Sequence, residues 1–185
     1  MRGRQSLPGG IVAALSAAAL SAALSAATAP QAPLAVLAER GDWTAVFDAA
    51  RSGAPGLDAP GPDGMTALHW AIYHDRADAA RALLAAGANP EARNRYGVAP
   101  LSTACENANP ETVELLLEAG ADPNTARRGG ETALMTAARA GRVEPLRALL
   151  ARGAKVDAAL DGGGQDALMW AAAEGHAEAV RALVE

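Results

Sequence analysis

Three histidines, one cysteine and 21 acidic side chains are the groups in this 185-residue chain that could hold a metal or move a proton. His69, His74 and His176 have no second histidine or cysteine at a ligand spacing, and Cys105 stands alone, so neither a metal site nor a cofactor is expected. Gly129-Gly130 and the run Gly162 to Gly164 do not follow a buried strand, which argues against a phosphate-binding loop. No catalytic residues are assigned, and the chain is not expected to be an enzyme. What remains is recognition chemistry. Arg93, Arg95, Arg127 and Arg128 offer guanidinium forks to carboxylates, and Tyr96 lies among them. Arginine and tyrosine are also the side chains found most often at binding hot spots.

The elements that must position those residues repeat. From Glu131 to Gly153 the chain reads as a short small-residue helix, a glycine, and a second helix with a Leu-x-x-Leu-Leu face. The anchor leucine recurs at Leu34, Leu68, Leu101, Leu134 and Leu168, and the terminating glycine at Gly53, Gly87, Gly120 and Gly153. Two markers in phase at a period of about 33 residues predict a solenoid in which each unit covers its neighbours. The motifs Thr66-Ala67-Leu68-His69, Ala99-Pro100-Leu101-Ser102 and Gly175-His176-Ala177-Glu178 carry a resemblance: from about Pro33 to Glu185 the chain resembles an ankyrin-repeat protein. That resemblance implies an all-α repeat solenoid of about five helix-turn-helix units with short β-hairpin-like fingers, at about 34–63, 64–96, 97–129, 130–163 and 164–185.

Composition agrees with closely stacked helices. Half the residues are hydrophobic, only 3% are aromatic, and roughly a quarter are alanine. The net charge is −5; without Arg2 and Arg4, 14 basic residues face 21 acidic ones, a balance of −7. An acidic chain without a basic stripe argues against nucleic acid as partner. The N-terminus lies outside the repeat. Arg2 and Arg4, the uncharged run Ile11 to Ala27 and the small residues Ser25-Ala26-Ala27 have the layout of a secretory signal peptide over 1–27, cleaved before Thr28. Residues 28–33 then form a linker, and a periplasmic or secreted location follows. An uncleaved anchor is the alternative, although the run is short and weakly apolar for a membrane span.

Unit by unit, the first is an atypical capping repeat with helices expected over 33–40 and 42–51. The second has a Pro-rich finger over 54–63 and a second helix near 77–86. In the third, Asn109 caps a helix that has Pro110 in its first turn. The next terminating glycine would fall just past Glu185, which leaves Ala179, Val180, Leu183 and Val184 on an uncovered edge. A monomer is expected, with dimerisation through that edge as the alternative.

The resemblance further implies that finger tips and first-helix ends line one groove for a protein partner. Matched position to position, the second unit contributes Asp63, Met65, Tyr73 and His74, and the third Arg93, Arg95, Tyr96, Glu106 and Asn107. The fourth contributes Arg127, Arg128, Glu131 and Arg139, and the fifth Asp161 and Glu174. His69 is implied to fix its helix locally, and His176 to serve the turn. Cys105 takes a packed alanine position, and Trp70 and Trp170 share one framework position. The expected function is non-catalytic protein binding. Its alternatives are an inhibitor or immunity-type partner of an enzyme, an exported effector acting on a host protein, and a membrane-tethered scaffold.

Overall fold

The computed structural model describes residues 32–185, which form one compact unit. The leader expected over 1–27, its cleavage point and most of the 28–33 linker lie outside the described residues. Ten helices follow in order: α1 (Leu34–Glu39), α2 (Trp43–Ser52), α3 (Ala67–Tyr73), α4 (Ala77–Ala85), α5 (Pro100–Asn107), α6 (Pro110–Glu118), α7 (Ala133–Arg139), α8 (Val143–Ala151), α9 (Ala167–Ala173) and α10 (Ala177–Val184). Consecutive helices pair, and the odd-numbered helices stack on one another in one row while the even-numbered helices stack in a second. This is an all-α repeat solenoid of five helix pairs, as the two phased markers predict.

Local chemistry explains where each helix starts. Thr66 and Thr132 cap α3 and α7 by accepting from the backbone N–H of His69 and Met135, and Asp166 caps α9 by accepting from Met169. Asn109 accepts from the N–H of Glu111 and Thr112 at the start of α6, ahead of Pro110, whose missing donor costs nothing there. The first helix of every unit then ends in a left-handed residue, at Gly41, Asp75, Ala108, Gly141 and Gly175. Glycine takes that conformation without strain, whereas Asp75 and Ala108 hold it at a cost of about 1 kcal/mol or more. At Gly141 a side chain is excluded for a second reason: a Cβ would come within 2.7 Å of the His176 ring.

The core lies between the two rows. Leu68, Leu83, Leu101, Leu116, Leu134, Leu146 and Leu149 are essentially without solvent exposure, with alanines filling the short distances between stacked helices. Full burial of each leucine contributes about 1.5–3 kcal/mol. The anchor leucines at the two ends, Leu34 and Leu168, are only half-buried. The fingers are minimal: antiparallel bridges pair Ala126 with Thr132 and Ala159 with Asp166. In the Pro-rich finger, the Gly61 N–H donates to the Met65 carbonyl instead.

Candidate protein-binding surface

Each finger is a tight turn laid against the next. In the third unit, Asn94 organises the tip: its side-chain oxygen accepts from the N–H groups of Tyr96 and Val98, and its own N–H donates to the Val98 carbonyl. Glycines at Gly64, Gly97 and Gly130 let neighbouring tips approach, since a Cβ on Gly64 would lie 2.6 Å from the Arg95 nitrogen. The Arg95 N–H donates to the Asp63 carbonyl at 3.1 Å, and the Asp161 N–H donates to the Gly129 carbonyl at 3.1 Å. These two bonds tie tip to tip. Between the third and fourth fingers a side chain supplies the link. The Arg93 guanidinium donates to the carbonyls of Gly97 and Ala126 and to the Thr125 hydroxyl, and so spans both fingers.

The four arginines therefore divide, and the expected single patch of four is corrected to two. Arg93 is turned along the fingers and lies 4.0 Å from Glu91. Arg127 is ion-paired with Glu131. Arg95 donates to the Pro62 and Asp63 carbonyls, which holds it 5.7 Å above the Tyr96 ring without satisfying its charge. Arg128 packs its stem over Gly97. Among the described residues, neither Arg95 nor Arg128 forms an ion pair. Tyr96 beside them is 64% exposed.

Glu131, expected as a contact residue, is mostly buried instead. Its carboxylate accepts from the Thr136 hydroxyl and Arg127, and Arg139 lies 3.8 Å away while also standing 4.0 Å from Glu106. Thr136, which is buried, and Arg139, the last residue of the helix, belong to α7, so this network ties the finger to the end of that first helix. Asn107 is exposed, and its amide donates to the Ile72 carbonyl of the preceding unit. Asp63 accepts from the Met65 N–H within its own turn, and the Met65 sulfur accepts from the Asn94 amide. Asp161 and Glu174 are exposed.

The second unit brings together rings that the sequence separates. His74, exposed at the end of α3, stacks on Trp70 at 5.9 Å and meets Trp43 and Tyr73 edge-on at 5.7 and 5.4 Å. The rings of Trp43 and Trp70 give this expected groove residue aromatic neighbours. Arg76 caps the cluster 4.9 Å from the Trp43 ring, and its hydrogen bonds hold the Asp78 carboxyl below its ordinary range. Trp43 and Arg76 were missed because their contact crosses a unit boundary. Gly64, Gly97 and Gly130 were missed although their spacing of 33 residues was in the sequence.

The other singled-out groups are structural. His69 accepts at Nδ1 from the Thr66 N–H, which leaves Nε2–H to donate to the Val98 carbonyl of the next unit. Burial lowers its pKa, outweighing the Val98 bond. His176 Nε2 lies 3.0 Å from the Arg139 carbonyl, again across a unit boundary. Cys105 is buried, and burial pushes its thiol up to about 12, so it stays protonated. Trp170 is half-buried, and its Nε1 has no hydrogen-bond partner. Among the described residues no cluster of His, Cys, Asp or Glu could hold a metal ion, and no helix is long and apolar enough to cross a membrane.

Comparison with known proteins agrees with this geometry. A family model described as ankyrin repeats (3 copies) matches residues 34–127 and 101–185. A human protein, SH3 and multiple ankyrin repeat domains protein 2 from Homo sapiens, is 38% identical over 71 residues. That stretch is 38% of this chain and 4% of the human protein, so the chain spans a small fraction of that relative.

Proposed function

The chain belongs to the ankyrin-repeat family, whose repeats are protein-interaction modules, and from that premise we propose that it is a non-catalytic binding protein. Its partner is a protein, taken along the side where finger tips and first-helix ends meet. The observation that carries this reading is the placement of the chain's only two tyrosines. Tyr73 and Tyr96 are 60% and 64% exposed on that side, each beside a cation or a cluster of rings. A large aromatic surface held in the open by a rigid scaffold is what a binding hot spot requires. The rest of the proposed contact surface is Asp63, Met65, His74, Arg95, Glu106, Arg128, Arg139, Asp161 and Glu174, with Arg93, Asn107, Arg127 and Glu131 holding it in shape.

The N-terminal layout supports export, so the proposed site of action is the periplasm or the extracellular space, after removal of residues 1–27. A photo-cross-linking residue placed at Tyr73 or Tyr96 in the producing cell should capture a protein, and the same residue at Arg147 on α8 should not. Capture from Arg147 alone would overturn the binding face. N-terminal sequencing of protein from fractionated cells tests the location: Thr28 as first residue in the periplasm or medium is expected, and an intact Met1 in the cytosol would contradict it.

A further inference from the structure

The chemistry of the partner can be read from the charges the fingers leave unsatisfied. Equivalent tip positions in the four fingers carry Pro62, Arg95, Arg128 and Asp161, a series that runs neutral, positive, positive, negative. Around them every other cation is committed. Arg93 spans two fingers, Arg127 is paired with Glu131, and Arg139 is shared between Glu131 and Glu106. On the finger tips of the described residues, arginine without an ion-pair partner is therefore confined to Arg95 and Arg128, either side of the Tyr96–Gly97 tip, with Asp63 and Asp161 on the fingers beyond. The tip itself is rigid, because Asn94 holds the N–H groups of Tyr96 and Val98.

We infer that this surface takes an acidic protein segment, with one carboxylate on Arg95, another on Arg128, and an apolar side chain between them on the Tyr96 ring. The inference rests on the binding face proposed above and names what that face selects. Two guanidiniums are too few for nucleic acid, where affinity comes from neutralising many phosphates. A small anion would leave the exposed Tyr96 ring unused. A segment that is acidic along its whole length is also disfavoured, since Asp63 and Asp161 would repel charge beyond the two central fingers. Neighbouring units stack at roughly 8–10 Å, so the two carboxylates should lie about two to four residues apart in an extended chain, where alternate side chains share a face.

The probe is a phage-displayed random-peptide library panned against the intact, folded chain, followed by affinity measurement on the synthetic peptide selected. Selected sequences should carry two Asp or Glu residues flanking an apolar one, and binding should weaken as salt rises. Arg128→Glu, and separately Arg95→Glu, should each weaken the peptide at least about 10-fold, while Arg147→Glu leaves it unchanged. Circular dichroism and a thermal melt confirm that each variant is folded. Because Arg95 also bonds the preceding finger, the Arg128 variant is the decisive one. Neutral or basic peptides that still lose affinity in Tyr96→Ala would overturn the acidic partner and leave the binding face standing. Peptides indifferent to Tyr73→Ala and Tyr96→Ala alike would overturn both, and a library that yields no binder would overturn the acidic partner.

Discussion

Units four and five repeat one another closely in sequence and differ in what covers them. Each opens with a capping oxygen, from Thr132 or Asp166, that accepts from the N–H three residues on, and each continues Ala-Leu-Met. Yet Leu134 and Met135 are 1% exposed, whereas Leu168 is half-buried and Met169 is 54% exposed. The helices α7 and α8 lie between two other pairs; among the described residues α9 and α10 touch only one. A leucine at the anchor position is thus core only where a further unit covers it. The motif specifies the helix, and the neighbour determines the burial.

Truncation should expose that difference most strongly. Leu134→Ala is expected to destabilise by about 2–5 kcal/mol, as other fully buried leucines do, and Leu168→Ala by about half as much. Urea unfolding measures both, and equal losses would end the comparison. The His69 link should come next, at about 1–3 kcal/mol for His69→Ala, because truncation empties a fully buried site and removes one of two donors to the Val98 carbonyl, which keeps the Asn94 N–H. This link also depends on pH. Burial lowers the folded-state pKa, so the folded chain holds the ring neutral while the unfolded chain binds the proton. Its contribution should be complete above about pH 6.5 and should fall as the solution is acidified below that, and His69→Ala should flatten this part of the stability profile. A slope unchanged by the substitution would mean another group titrates.

A gain is predicted at the end of α5. Ala108 is left-handed where unit four has Gly141, so Ala108→Gly should stabilise the chain by about 1 kcal/mol. A loss of stability there would show that the Ala108 methyl packs more than it strains. Native-state hydrogen exchange offers a subtler comparison: α9 and α10 should open more readily than α7 and α8, having contacts on one side only. Protection that rises with protein concentration would instead indicate that copies associate through the Val180–Val184 edge.

The sequence carried the fold well because two features that cost little to read, an apolar anchor and a left-handed glycine, recur in phase. Helix ends shifted by a residue or so: α1 and α2 occupy Leu34–Glu39 and Trp43–Ser52, and α4 stops at Ala85. The candidate surface was less legible. Nothing local distinguishes Arg93 from Arg95, two residues apart on one finger. The first faces carbonyls of the next unit and the second those of the preceding finger. Likewise His74 looked solitary because Trp43, which it meets edge-on, lies on the preceding unit. Such assignments depend on how units stack, a distance that no single motif encodes. The glycine series Gly64, Gly97 and Gly130 was readable, and it marks where fingers touch.

In the proposed function, finger tips and first-helix ends, rather than the outer row of helices, receive a protein. A hydrogen-exchange footprint of the chain with its cross-linked and purified partner tests it most directly. Binding should slow exchange at the Asn94–Gly97 and Arg127–Gly130 tips and at the end of α3 around Tyr73 and His74, while α4, α6 and α8 exchange as in the free chain. Protection confined to α4, α6 and α8, with the tips unchanged, would contradict the account.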